Sequence, residues 1–225
     1  LHSFNTSLGY NWRSTDRISQ QFKPLDVSYT NLAKSSDKFE EYLQNNPIIR
    51  RSFEEQFILG NSYTFTYSTL HLSEKHARIL VSESIDFSGN AAYLASWAID
   101  GEKPTSDNQD KLLDVPYSQY VRLRSEVRYF YDLGRTSVLA TRLITSAGLP
   151  YGNSSTMPYV KQFFVGGTNS VRAFSSRSVG PGTYSPPDSI SDIYIDQTGD
   201  IKLEASMEYR FEIYRFIKGA LFADA

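Results

Sequence analysis

The chain has 225 residues, a net charge of −2 and a mean hydropathy of −0.40, and its basic and acidic residues are dispersed among each other. This balance excludes a basic surface of the kind that binds nucleic acid. No apolar run reaches the roughly 18 residues of a transmembrane helix, and the lack of cysteine excludes disulfides and thiolate metal sites. A membrane β-barrel stays open, because its apolar side chains occupy only every second position.

Alternating apolar and polar residues predict two strands at the start of the chain. The apolar face of the first strand consists of Phe4, Leu8, Tyr10 and Trp12. The stretch 17–32 alternates less regularly, and its register changes near Pro24, as it would at a β-bulge. Residues 33–55 lack the alternation and form the first long connection.

The sequence of this first connection, SSDKFEEYLQNNPIIRRSFEEQF, is typical of helix. Either Ser35 or Ser36 can act as the N-cap, because acidic residues follow in the first turn. One helical face consists of Phe39, Tyr42 and Leu43, and Pro47 interrupts the pattern. We expect a surface lid of one or two short helices.

Two more strands are predicted before the second long connection. Tyr63, Phe65 and Tyr67 alternate with hydroxyl residues, and the alternation returns over residues 79–93. Two residues are exceptions, because Glu83 lies in the apolar row and Leu80 lies in the polar row. The following connection, 97–117, is polar, and we expect it to be mobile.

The second half of the chain has the most regular strands. Residues 120–132 place one row of charged side chains opposite an apolar row; the charged row is Arg122, Arg124, Glu126 and Arg128. Residues 200–213, DIKLEASMEYRFEI, alternate without a break, so one face is apolar and the other polar. Weaker patterns at 136–148 and 216–225 bring the total to about eight strands.

The connections between these strands alternate in length. Short links lie near 13–17, 71–76, 132–136 and 213–216, and long ones at 33–55, 97–117 and 149–199. An all-β, antiparallel, up-and-down barrel with one elaborated end has this organisation. Aromatic residues near the strand ends fit either an interfacial girdle or the ordinary preference of aromatics for strands: Trp12, Trp97, Tyr117, Tyr131 and Tyr151.

Familiar catalytic and metal-binding patterns do not account for the polar residues. The histidines His2, His71 and His76 have neither metal spacing nor a nucleophile partner. Three aspartates recur every four residues, Asp188, Asp192 and Asp196, and fit a solvated loop better than a calcium site. The VGPG sequence lacks the residues of a phosphate loop. We therefore expect no catalytic residue, metal or cofactor.

The longest connection contains the segment FFVGGTNSVRAFSSRSVGPGTY. Gly166 and Gly167 permit a positive φ or a close backbone approach, and the run Gly180, Pro181 and Gly182 predicts a turn. Between these turns lies a compact tetrapeptide with one cation: Val171, Arg172, Ala173 and Phe174. By composition alone, Arg172 reads as a solvated loop arginine.

This segment and the two strands after it resemble the outer-membrane protein assembly superfamily of BamA/TamA type, most closely its TamA-like (TamL) branch. The residues that carry the resemblance are GGTNSVRAF, GDIKLEASMEYRFEI and IKGALFADA, within 163–225. Ala173 stands where the family has glycine, so the tip of the loop is expected to differ. The resemblance implies a sixteen-stranded membrane barrel of which 1–225 is a C-terminal part, with upstream POTRA domains and the first and last strands absent.

The resemblance also implies a role for Arg172, whose guanidinium would pair inside the barrel with acids on the next two strands, Glu208 and Asp224. Alternation independently places Glu208 on the polar face of its strand, which must face the lumen because charge on the lipid face is costly. The parity of Asp224 is less clear. An arginine between two carboxylates would brace the loop across the lumen.

The implied function is assistance to outer-membrane proteins during their insertion or translocation, with no covalent chemistry. The implied location is the bacterial outer membrane, and the implied partners are its lipids, the substrate proteins and a TamB-like periplasmic protein that supports lipid transfer. Three other interpretations stay open: a core BamA-type insertase or two-partner secretion transporter, a passive channel or receptor, and an outer-membrane lipase.

Overall fold

The computed structural model describes residues 2–31, 36–45, 50, 53–72, 76–101, 103–184 and 196–225. The described elements, in chain order, are β1 (His2–Thr15), β2 (Ile18–Asn31), α1 (Asp37–Asn45), β3 (Gln56–Ser68), β4 (Ala77–Ser88), α2 (Asn90–Asp100), β5 (Lys111–Leu112), β6 (Val115–Pro116), β7 (Tyr120–Asp132), β8 (Ser137–Pro150), a 3₁₀ helix (Tyr159–Lys161), β9 (Ile201–Tyr214) and β10 (Ile217–Asp224).

Within the described residues, eight long strands form one antiparallel sheet in the order β1-β2-β3-β4-β7-β8-β9-β10. Each long strand therefore pairs with the long strand that precedes it along the chain, which confirms the predicted meander. The short β5 and β6 pair only with each other, in the connection between β4 and β7. The sheet is open, with β1 and β10 at its edges. No helix among the described residues is long and apolar enough to span a membrane.

The two faces of the sheet differ sharply in character, as β9 shows. Ile201 and Leu203 are 79% and 70% exposed on one face, whereas Glu204 on the other face is only 1% exposed. Residues 163–184, which we call the inner loop, cover the face on which Glu204 lies. They contact β7, β9 and β10 there. We call this polar side the inner face and the apolar side the outer face.

The register change that the sequence predicted near Pro24 is present. The pairing of β2 with β3 shifts between Lys23 and Asp26, and the pairing of β1 with β2 shifts between Leu8 and Tyr10. Proline cannot donate a ladder hydrogen bond, so the strand accommodates Pro24 at an irregularity.

The fourth predicted strand is shorter than its alternating sequence indicated. We expected it to continue to Tyr93, but β4 ends at Ser88 and α2 begins at Asn90. Gly89 makes the turn with a φ of 78°, and a Cβ there would lie 2.7 Å from the Ser118 carbonyl oxygen. Only glycine tolerates both conditions, so the chain leaves the sheet here.

The first long connection contains the predicted helix, α1. The Phe39 N–H donates to the Ser36 hydroxyl at 3.3 Å, so Ser36 provides the cap. Ser35 and Pro47 lie outside the described residues.

The second long connection contains the end of α2 and the paired strands β5 and β6. Asn153, from the third long connection, holds it in place, because Asn153 is fully buried and its side-chain amide donates to the carbonyls of Asp110 and Tyr117 at 3.0 and 2.9 Å. The Asp110 N–H donates in return to the Asn153 side-chain oxygen at 2.7 Å. Tyr117 is 1% exposed, so it does not fit the interfacial girdle, which was one of the two interpretations left open for it. Trp97 belongs to α2 and not to a strand end.

Candidate functional site

Arg172 lies at the tip of a tight turn in the inner loop. The Phe174 N–H donates to the Val171 carbonyl at 3.2 Å, which leaves Arg172 and Ala173 as the central residues of the turn. The Gly167 N–H donates to the Phe174 carbonyl at 2.9 Å and closes the base of the turn. Arg172 is thus held at a fixed place on the inner face.

Two glycines make this fold of the loop possible. Gly166 and Gly167 have φ values of 96° and 91°, and a Cβ on Gly166 would lie 2.1 Å from the Ser175 carbonyl oxygen. The later turn also has positive φ at Gly180 and Gly182, on either side of Pro181. Ala173 is not among the positive-φ residues, so alanine fits this position without strain.

Arg172 is paired first of all with Asp224 at the end of β10. Its Nε and Nη2 donate to the two carboxylate oxygens of Asp224 at 2.8 and 2.9 Å, which is a bidentate pair. The Arg172 backbone N–H also donates to Asp224, at 3.2 Å. The Asp224 side chain is 5% exposed, so most of this pair is shielded from solvent. These hydrogen bonds raise the pKa of Arg172, which therefore stays charged.

Glu208 on β9 takes the remaining side of the guanidinium. Arg172 Nη1 donates to Glu208 at 2.6 Å, and the other oxygen of Glu208 accepts from Arg210 Nε, also at 2.6 Å. The Phe222 ring lies under the guanidinium at 3.7 Å from its carbon, in a cation–π contact. The register explains the convergence, because Phe222 pairs with Glu208 and Asp224 with Ser206, so all four are on the inner face.

A second charged cluster holds the same loop, and the sequence did not predict it. The Glu204 carboxylate is 1% exposed and accepts hydrogen bonds from Arg142 and Ser170, while Lys202 Nζ lies 2.7 Å away. Arg142 also donates to the Asn169 carbonyl at 2.7 Å. We call Glu204, Arg142, Lys202 and Ser170 the Glu204 cluster. One signal was available, since Glu204 lies four residues before Glu208 in the same polar row.

A third set of contacts ties the two sides of the long connection together. Arg177 Nη1 lies 3.2 Å from an Asp196 carboxylate oxygen. The guanidinium carbon of Arg177 lies 4.4 Å from the centre of the Phe164 ring. The Tyr159 hydroxyl donates to Asp196 at 2.6 Å. Burial and this hydrogen bond raise the pKa of Tyr159 to about 12, so the phenol stays a donor. Asp188 and Asp192 lie outside the described residues.

The arrangement has the chemistry of a mechanical anchor. Among the residues described, no group of three or more histidine, cysteine or acidic side chains could hold a metal ion. Arg172 and Arg210 together balance the charges of Glu208 and Asp224, and in the Glu204 cluster two cations, Arg142 and Lys202, surround one carboxylate. What the site can do is fix a long loop against three consecutive strands.

The described strands thus form an antiparallel meander whose polar face carries an inward loop, and Arg172 of that loop pairs with the two strands that follow it. Residues 113–225 match the model of the Omp85 superfamily domain, and the chain belongs to the Omp85 superfamily. This is a family of outer-membrane protein assembly and translocation. The comparison with curated proteins found no match.

Proposed function

We propose that this chain forms part of the membrane-embedded barrel of a factor that assists the insertion or translocation of outer-membrane proteins. The observation that carries the proposal is the set of hydrogen bonds from the Arg172 guanidinium to Glu208 and Asp224, here the Arg172 fork. These hydrogen bonds join the inner loop to two neighbouring strands. The membership in the Omp85 superfamily supports the same assignment.

The apolar outer face supports a position in a membrane. Along β9 and β10 the side chains exposed on this face are large and apolar: Ile201, Leu203, Met207, Tyr209, Ile213 and Leu221. Charged groups of the same strands lie on the inner face, and five of them form ion pairs there: Lys202, Glu204, Glu208, Arg210 and Asp224. A wall with this segregation is stable between hydrocarbon and a polar lumen.

The inner loop would act as a brace of the wall. Arg172 links β9 to β10, and the Glu204 cluster links the loop to β8 and β9. A wall held from inside keeps its curvature when strands elsewhere in the barrel separate. Such a barrel could then offer an open strand edge to an incoming β-strand, which pairs with it by main-chain hydrogen bonds.

The finer assignment is to the TamA-like branch, with a TamB-like periplasmic partner and outer-membrane lipids as further contacts. It rests on the resemblance of the motif residues and on the helical α1 connection. A BamA-type insertase or a two-partner secretion transporter would use the same brace, and neither needs a catalytic group.

The test uses the full-length protein reconstituted in lipid vesicles with an unfolded outer-membrane barrel as substrate. Arg172→Glu places three acids together, so we expect the rate of substrate folding to fall by at least about tenfold. The folded fraction is measured by the gel mobility of unheated samples. Combining Arg172→Glu with Glu208→Arg restores one opposite-charge pair and should recover part of the rate. Arg215→Glu, in the turn between β9 and β10, is the matched control.

Wild-type folding activity of the Arg172→Glu protein would contradict the brace. A passive channel predicts a different result, namely a large constant conductance that does not change with Arg172→Glu and no acceleration of substrate folding.

A further inference from the structure

Glu83 is an acidic residue on the mainly apolar outer face. It is the seventh of the twelve residues of β4, and it pairs in register with Phe65 on β3 and Ser125 on β7. Ser84 and Asp86, at alternate positions of β4, lie on the opposite, inner face, where Asp86 accepts a hydrogen bond from Arg122. Under the proposed membrane location, Glu83 therefore lies near the middle of the hydrocarbon layer.

Glu83 lies in a groove of the outer face. The groove has a volume of about 610 Å³, and its floor is made of short side chains, Ser125, Thr145 and Ala147. Its rims are large apolar residues on either side: Tyr63, Phe65, Ile85, Leu123, Ile201 and Leu203. The register across the strands produces this shape, because Ser125 pairs with Thr145 and Thr145 with Leu203.

The carboxylate in this groove has one hydrogen-bond donor within the described part of the chain. Ser125 Oγ donates to Glu83 Oε1 at 2.7 Å, and Oε2 has no hydrogen-bond donor among the described side chains that face it from β3 and β7. The contrast with the inner face is clear, because each of Glu126, Glu204 and Glu208 there binds two or more cationic side chains or hydroxyls. An acidic group at this depth is costly unless a further donor reaches it.

We propose that this groove binds a membrane-embedded segment of a partner protein that presents a lysine, arginine or hydroxyl side chain to Glu83. The inference rests on the proposed membrane location. The segment would place apolar residues above and below its donor, against the Leu123 and Leu203 rims. Charge complementarity favours a protein over a lipid, since an acyl chain carries no donor at mid-depth and would leave Glu83 Oε2 without a hydrogen bond.

The first measurement uses the purified full-length protein in phosphatidylcholine vesicles, where no partner is present. Glu83→Leu removes an acid from the hydrocarbon layer, so the urea concentration at half unfolding should rise. Thr141→Leu, another polar-to-leucine change on the outer face of β8, is the matched control. A fall of the midpoint for Glu83→Leu would show that the carboxylate serves the fold of the sheet itself and would overturn the proposal.

The second measurement finds the partner in cells of the native host. A photo-crosslinking amino acid at Leu203, on the rim, should join the full-length protein to a different polypeptide, and mass spectrometry should place the link in an apolar segment that contains a donor residue. Glu83→Leu should lower the adduct yield roughly tenfold, as expected for one charge-assisted hydrogen bond. Changing the mapped donor to leucine should have the same effect.

Three outcomes would overturn the proposal: adducts with lipid alone, adducts between two copies of this chain, and protein adducts whose yield does not depend on Glu83. Failure of this test leaves the brace unaffected, because the effect of Arg172→Glu on substrate folding is measured in vesicles that hold no partner for the groove.

Discussion

Asp224 receives two parallel hydrogen bonds from the Arg172 guanidinium, at 2.8 and 2.9 Å, and a third from the Arg172 backbone. Glu208 receives one from Arg172 and shares its charge with Arg210. The two acids are therefore unequal partners, although both lie on the inner face of neighbouring strands. This inequality leads to the first prediction.

Asp224→Asn should destabilise the protein more than Glu208→Gln. We expect the free energy of unfolding to fall by about 2–3 kcal/mol for Asp224→Asn, less than for a fully buried pair because the Arg172 side chain is 25% exposed. Glu208→Gln should cost about 1 kcal/mol, since Arg172 keeps its bidentate partner. Urea unfolding of the full-length protein in vesicles measures both, with Asp16→Asn in the exposed β1–β2 turn as control. Equal losses would contradict the ranking.

The Glu204 cluster and the Arg172 fork should be coupled through the loop that they share. Arg172→Ala releases the tip, and Glu204→Gln weakens the hold on Ser170, but each variant leaves the other anchor in place. The loop should come free only when both are changed. The lack of native cysteine in this chain allows a test by maleimide labelling of Ser178→Cys.

The labelling rate should rise modestly in each single variant and by more than the product of the two effects in the double variant. A cysteine at Asp16, in the turn at the far end of the sheet, should label at the same rate throughout. Strict multiplicativity of the two single effects would mean that the anchors act independently.

Gly166→Ala should destabilise the inner loop. Its φ of 96° and the Ser175 carbonyl at 2.1 Å from the added Cβ both oppose a side chain, so we expect a loss of about 1–3 kcal/mol. Gly134→Ala is the control, because the nearest atom to its Cβ, in the Ser137 side chain, is 3.8 Å away. Thermal unfolding monitored by circular dichroism compares the two. Similar stability of both variants would refute the packing argument.

Ala173→Gly, which introduces the glycine of the family motif, should have little effect. Ala173 does not use a positive φ, so glycine relieves no strain and only adds freedom to the unfolded chain. The free energy of unfolding should fall by no more than about 1 kcal/mol. A gain in stability, measured by urea unfolding, would mean that alanine is strained at this position.

The sequence predicted the strands well where one face alone is apolar. The unbroken alternation from Ile201 to Ile213 is β9, and it also placed Glu208 on the polar face. The prediction of the strand end failed at β4, because the first apolar residues of α2 happen to continue the two-residue period of the strand. The break is made by Gly89, whose backbone conformation is imposed by the neighbouring segment at Ser118.

The amino-acid sequence by itself determined the eight alternating strands, their order as a meander and the polar side of β9, because a period of two is a local property of side chains along one chain. Only the tertiary structure decided that Asp224 and Phe222 share the face of Glu208, that Glu204 gathers donors from β8 and the inner loop, and that Glu83 lies in a groove. These relations depend on the register between strands and on the path of a 22-residue loop segment, 163–184, which no local pattern specifies.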